Sequence, residues 1–536
     1  MRLGVGEVKK KPLEVLERKL SVVQPTNLDT SLPRRTLSLC PECRRLIPAE
    51  IYQEDEKVFI SKRCPDHGEF RDLYYGDLET FERFHEFALD GVGVENPHTT
   101  IRNSCPYDCG LCEQHYSHPG IVNIDITNRC NLRCPICFAN ANALGYVFEL
   151  DYEHVAAMLE LLKELRPVSP PAIQFSGGEP TIHRDFLKMI RKARELGFPQ
   201  IQVATNGVKL ADFQFTQALV DAGLHTVYLQ FDGFKEEVYE TARGMRNLLE
   251  VKMRVIENCR RVKPEPLSTV LVPTVLKGVN DDEVGEIVNF GLENLDVIRA
   301  VNFQPVSLSG RIGYDERMKF RYTIGDLIRD LVDQTDYLEK EDFYPVPVAA
   351  AISELVSAVH GEEKVAFTCH PACGAATYLF KTDDGRVTPI TRFVDVEGLY
   401  EKSLEISQNI KGKRFGRIRA LVKSFDILRY IDQDKAPKGL NLRGILKAIL
   451  LKATKRSLAD FHWKTLFIGT MHFMDLYNYD VERVKRCVVH YVTPDGRLIP
   501  FCAYNTGPTY REEVERKFSI PLEEWKNVAE RENAGD

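Results

Sequence analysis

The sequence predicts an α/β protein: a partial barrel of six strand–helix units, a small metal-knuckle domain before it and a Cys-rich carboxyl-terminal domain after it. Three observations predict this. Short Val- and Ile-rich strands alternate with helical stretches from Ile121 to Val306, joined by about 20 to 30 residues, the spacing of right-handed parallel crossovers. The 14 Cys of the chain fall mostly in short clusters with metal-ligand spacing. At 536 residues the chain also exceeds the size at which one hydrophobic core stops growing, so two to four units are expected.

The units run in order: a strand at Ile121–Thr127, a helix over 151–165, the strand AIQFSGGEP, a helix over 185–196 and the strand IQVATNG. The helix ADFQFTQALVDAG, the strand TVYLQFDG, one helix over 236–259, the strand STVLVPTVL, a helix over 282–295 and the strand VIRAVNFQPV follow. Six units are too few for a closed eight-unit barrel. The expected divisions are a polar arm (1–35), a metal domain (36–100), a Cys loop (101–120), the barrel (121–320) and a carboxyl-terminal domain (321–536).

Composition excludes several classes. The opening MRLGVGEVKKKPLEVLERKL carries charge where a signal peptide would be apolar, and unpaired Cys clusters fit a reducing compartment, so a cytoplasmic enzyme is expected. No stretch reaches the roughly 20 apolar residues needed to span a bilayer. The net charge of -7 argues against a nucleic-acid partner. The exception is 411–456, where 14 Lys or Arg face three Asp. There RFGRIRALVKSFDILRYI and GLNLRGILKAILLKATKR mix basic and apolar residues at helical intervals, which suits either a solvated basic face or a helix lying peripherally on an anionic membrane surface.

The Cys clusters carry the chemistry. Cys40, Cys43, Cys64 and His67 form a CxxC and a CxxH around a hairpin, a tetrahedral set for zinc or a rubredoxin-like mononuclear iron, and spacing does not decide between them. Cys130, Cys134 and Cys137, in TNRCNLRCPICFANA, space three thiolates for three irons of a four-iron cluster and leave the fourth iron open; a structural zinc loop is the alternative. Cys105, Cys109 and Cys112 repeat the CxxxCxxC pattern, but only the Cys130 set follows a strand that opens the alternation. Beyond the barrel lie Cys369 and Cys373, then Cys487 and Cys502 around a hairpin with Asp495 and Gly496 at its turn. Cys259, in VIENCRRV, is either an eighth cluster ligand or a buried core thiol.

Strand ends supply candidates for a nucleotide. Ser176, Gly177, Gly178 and Glu179 end the second strand, Thr205 and Asn206 the third, Gln230 and Asp232 the fourth. With CxxxCxxC about 40 residues upstream, this set resembles the radical SAM enzymes. That resemblance implies an open barrel with its site at the carboxyl ends of the strands and S-adenosylmethionine (SAM) chelated to the open iron. It also implies SAM contacts at Gly177, Gly178 and Glu179. Ile136 departs from the pattern, since the family usually places an aromatic residue there against adenine.

The strings TNRCNLRCPICFANA, FSGGEPTIH, VNFQPVSLSGR, FIGTMHFMDLYNYD and RCVVHYVTPDGRLIPFCAYN are further similar to the archaeal tetraether lipid synthase group, whose members are also described as 7,8-dihydro-6-hydroxymethylpterin methylases. This implies three [4Fe-4S] clusters, one radical SAM and two auxiliary, plus one mononuclear iron or zinc, and an electron donor such as ferredoxin or flavodoxin. The reaction implied joins terminal methyl carbons of isoprenoid diether lipids, with an auxiliary cluster trapping the first alkyl radical. The alternative is carbon methylation of a pterin. A polar pocket at the open cluster would favour the pterin, a long apolar tunnel the lipid.

Overall fold

The computed structural model describes residues 23–310, 317–382, 384–410, 416–438, 440–451 and 464–527. Of the arm expected over 1–35, residues 1–22 lie outside the described residues, and a short strand, Val23–Pro25, pairs antiparallel with Leu89–Gly91. A four-stranded antiparallel ribbon follows: β1 (Arg34–Leu39), β2 (Leu46–Glu54), β3 (Lys57–Cys64) and β4 (Gly68–Tyr75). Alternate residues face inward, with Ile51, Val58 and Ile60 fully buried, as the two-residue period of a strand requires.

The six expected barrel strands are all present: β5 (Ile121–Thr127), β6 (Ala172–Gly177), β7 (Gln200–Thr205), β8 (Thr226–Gln230), β9 (Ser268–Val272) and β10 (Ile298–Pro305). They pair in parallel in that order. The helices between them are α1 (Tyr152–Glu164), α2 (Phe186–Glu195), α3 (Phe213–Ala222), α4 (Glu236–Arg243), α5 (Leu248–Arg261) and α6 (Val284–Glu293). Strand residues facing the helices, among them Ile173, Phe175, Ile201, Val203, Val227 and Leu229, are fully buried, and each such side chain contributes about 1.5–3 kcal/mol. Asp151 and Asp212 cap α1 and α3 by accepting backbone N–H bonds from His154 and Gln214.

Two expectations need correction. The single helix over 236–259 is two helices, because Gly244 turns left-handed (φ 73°) and ends α4 where its Cα side lies against Pro135 and the Arg133 carbonyl. The sheet is also larger than six strands. Strand β12 (Thr465–Met471) pairs in parallel with β10, and β13 (Val489–Val492) pairs in parallel with β5, giving eight parallel strands. Antiparallel strands flank these: β11 (Gly374–Lys381) on β12 and β14 (Leu498–Pro500) on β13. Two strands from the expected carboxyl-terminal domain therefore join the barrel wall.

Helices α7 (Val348–His360), α8 (Val396–Ile410), α9 (Gly416–Ser424) and α10 (Leu442–Leu450) build a satellite core around Leu355, Ile406, Ala420, Ile427 and Leu450. The basic segment contributes α9 and α10; its residues 411–415, 439 and 452–456 lie outside the described residues. Among the described residues no helix is long and apolar enough to cross a membrane.

Candidate active site

Inward-facing residues of the parallel strands line one cavity of about 510 Å³. Its middle is polar. Asn123 and Asp125 on β5, Gln174 and Ser176 on β6, Gln202 on β7, Tyr228 and Gln230 on β8, and Asn302 and Gln304 on β10 occupy alternate positions along otherwise apolar strands. Gln174 donates to Asn123 (3.0 Å), and Ser176 to Asp125 (2.6 Å), whose other oxygen pairs with Arg511 at 2.7 Å. The side-chain oxygens of Gln174 and Gln202 are buried without a partner. The rest of the wall is apolar: Ile121, Val346, Phe367 and Val488 toward the amino ends of the strands, and Phe467, Phe473 and Phe501 along one side.

Over the carboxyl ends of the strands lies the loop carrying Cys130, Cys134 and Cys137, all three on the cavity wall. Asn142, itself left-handed (φ 62°), accepts from Cys130 N at 3.0 Å and donates to the carbonyls of Cys130 and Leu132. Asn206 at the end of β7 donates to Asn131 (2.6 Å) and reaches Cys130 Sγ at 3.8 Å. The loop is thus held by amides that leave its thiols facing inward. Burial pushes the Cys130 thiol up to about 12, so a metal must displace its proton to bind.

Seven of the eight expected strand-end residues, Ser176, Gly177, Gly178, Glu179, Thr205, Asn206 and Gln230, line this cavity. The two glycines are required by a close approach of backbone to backbone. A Cβ on Gly177 (φ 125°) would stand 2.2 Å from the Thr127 carbonyl, and one on Gly178 2.2 Å from that of Arg129. Glu179 is 1% exposed and already bonded: it accepts from Thr181, from Thr205 (2.7 Å) and from Asn206 N (2.8 Å), while burial pushes its carboxyl pKa up. Its bonds tie the second strand end to the third.

Asp232 is the exception. It is fully buried off the cavity wall, where Arg243 grips it with two bonds (2.8 and 2.7 Å) and Thr274 N donates to it. The sequence reading missed the cavity-lining Arg243, which also reaches the Ile136 carbonyl and so ties α4 to the Cys loop. It missed the polar ladder as well, although the alternation of Asn123 with Asp125 and Gln174 with Ser176 marks it.

A family model described as Radical SAM superfamily matches residues 124–291, and one described as HMPTM N-terminal zinc ribbon domain matches 32–76. A 7,8-dihydro-6-hydroxymethylpterin dimethyltransferase of Methanocaldococcus jannaschii is 49% identical over 502 residues, covering 93% of this chain and 98% of the relative. The chain belongs to the radical SAM superfamily. A GTP 3',8-cyclase of Clostridium acetobutylicum shares 28% identity over 207 residues, 38% of this chain and 62% of that protein.

Beside the barrel of this radical SAM enzyme stand further thiols. Cys369, Cys373, Cys487 and Cys502 line one small enclosed cavity with His472 and Arg483. Cys105 and Cys109 lie next to them, in a core shared with Tyr479, Tyr504 and Tyr510, with Cys112 close by; Cys109 N donates to the Tyr510 hydroxyl at 3.0 Å. None of these seven lines the barrel cavity. Cys259 stands apart, fully buried in the main apolar core on α5 beside Thr269, the setting of the second of its two readings, a core thiol.

In the zinc ribbon, the ligand atoms of Cys40, Cys43, Cys64 and His67 all lie within 4.8 Å of one another. Cys43 and Cys64 sulfurs are 3.9 Å apart, close to the about 3.8 Å that tetrahedral thiolates about 2.3 Å from one zinc would have. His67 beside Cys64 lowers that thiol to about 6. The donor set fits a single tetrahedral ion.

Proposed function

We propose that this radical SAM enzyme methylates carbon on a reduced hydroxymethylpterin. The observation that carries the reading is the polar ladder of Asn123, Gln174, Gln202, Asn302 and Gln304 below the Cys loop, whose unpartnered Gln174 and Gln202 oxygens suit the ring N–H groups of a planar heterocycle. The 49% identical relative is named for methylation of such a pterin, which supports the same substrate. Cys130, Cys134 and Cys137 would hold a [4Fe-4S] cluster, which with one SAM and an electron would supply the radical that removes the hydrogen atom, while a second SAM would supply the methyl group. An unactivated C–H bond offers no acidic proton, so acid–base groups alone would have no handle on it.

The chain's own residues do the rest. Asn206 and Asn142 fix the loop, Ser176, Gly177, Gly178, Thr205 and Gln230 would border SAM, and the buried Leu132 and Ile136 would shield the reacting carbon from water, Ile136 offering apolar packing without stacking. Cys369, Cys373, Cys487 and Cys502 would hold one auxiliary cluster, Cys105, Cys109 and Cys112 would serve a second, and the ribbon would take zinc or iron. A small low-potential protein such as ferredoxin or flavodoxin delivers the electron.

A second reading, coupling of isoprenoid diether lipids, is favoured by the apolar wall that continues from the Cys loop to the amino ends of the strands. It also draws on α9 and the turn after it, where Ile418, Val422 and Phe425 are exposed beside exposed Arg419 and Lys423, a face suited to an anionic membrane. One experiment separates the two. Reconstituted enzyme with SAM and dithionite is given the reduced pterin or diether lipid vesicles, and products are read by mass spectrometry. Methylated pterin is expected. Cross-linked lipid without methylated pterin would establish the second reading, and deoxyadenosine with neither product rejects both.

A further inference from the structure

Arg483 has no ordinary explanation. Its side chain is 1% exposed, its Nη1 has no partner, and no carboxylate lies within 4.0 Å of it among the described residues. Other buried arginines are matched: Arg34 with Asp480, Arg321 with Asp72 and Asp475, Arg486 with Asp90. Arg483 instead donates Nε–H to Cys373 Sγ at 3.3 Å and Nη2–H to the His472 carbonyl at 2.5 Å, with the Tyr74 ring 5.6 Å away. Arg483, Cys373 and His472 all line the small cavity shared with Cys369, Cys487 and Cys502.

A buried guanidinium without a counter-charge is strongly unfavourable. The missing anion must therefore come from whatever the four thiols hold. His472 supplies none: its ring nitrogens are both buried without partners, and an imidazole carries no negative charge. A four-iron core with four thiolates is negative in both of its redox states and more so by one charge after reduction, which fits a site that presents a fixed cation. Hydrogen bonds to ligand sulfur and nearby charge are the protein's means of tuning such a cluster.

We propose that Arg483 is a positioning residue for the auxiliary cluster at Cys369, Cys373, Cys487 and Cys502, balancing its charge and raising its reduction potential. The proposal rests on the cluster assignment above and is independent of the substrate. Reduction takes up one electron from a low-potential donor, and the cation stabilises the more negative product, so its loss makes reduction harder.

The test uses the reconstituted holoenzyme carrying Cys130→Ala, Cys134→Ala and Cys137→Ala, so that only auxiliary clusters give signals. Dithionite titration followed by paramagnetic resonance reads the midpoint, alongside iron and sulfide content. Arg483→Met is expected to lower the midpoint by about tenfold in the reduction equilibrium, 59 mV for one electron. Arg483→Lys keeps the charge and is expected to retain iron with a smaller shift. A Met variant with full iron and an unchanged midpoint overturns the proposal. Should the Met variant fail to fold, a Lys variant that folds but loses the auxiliary iron overturns it as well. Parent protein whose auxiliary iron is unaffected by Cys373→Ala overturns both the proposal and the cluster assignment beneath it.

Discussion

The two CxxxCxxC loops have the same spacing and opposite settings. The Cys130 loop sits over the strand ends, held by Asn142 and Asn206, with its three sulfurs on the wall of the large cavity. The Cys105 loop is packed among Tyr479, Tyr504 and Tyr510 and touches no part of that cavity. Spacing decides how many irons a loop can hold. What lies beyond the sulfurs decides whether a substrate reaches the metal, and here only one loop opens onto space.

The largest effect should come from removing a ligand of each. Cys134→Ala is expected to abolish deoxyadenosine formation, whereas Cys109→Ala retains most of it while product is lost; equal loss in both would erase the contrast. The next tests how the open loop is seated. Gly177→Ala forces a Cβ onto the Thr127 carbonyl in a left-handed backbone, and should cost about 3 kcal/mol in thermal unfolding and most of the SAM cleavage. A fully active, equally stable variant would mean the loop is not held by that contact.

The smallest effect is a slope with pH. Lys252 on α5 donates to the Asn206 carbonyl and to Gln230 (3.0 Å), and burial lowers it from 10.5 to about 8. Between those values the unfolded chain holds more protons than the folded one, so stability rises with pH across that window and the penalty is fully present below it. From pH 8 to 9 the parent should gain about 1 kcal/mol over Lys252→Met, read by denaturant unfolding. The rear loop is anchored by the neutral Tyr510 hydroxyl, and Tyr510→Phe should leave that slope unchanged.

The six strands and the open Cys trio were legible because both are local: a strand, its crossover and a three-Cys loop each occupy one short stretch of chain. Strands β12 and β13 were not, since each pairs with a strand more than 150 residues away and no crossover spacing announces it. Asp232 and Glu179 read as ligand contacts because strand-end carboxylates in such positions look free. In the fold, Arg243 takes the first, and Thr181, Thr205 and Asn206 share the second. Cys259 resembled the other thiols only by residue type; nothing in its spacing tied it to them.

The parallel sheet begins at Ile121 and ends its pairing at Val489, which lies directly beside it. All of the chain from Ile121 to Val489 must therefore be synthesised before the wall of the reaction chamber can be finished. Until that moment a partial chain holds the radical-generating Cys loop without an enclosed space beneath it. The order of synthesis thus delays chemistry until the container exists, and a truncation between β12 and β13 should yield a protein that keeps the Cys130 loop but lacks the wall beside β5.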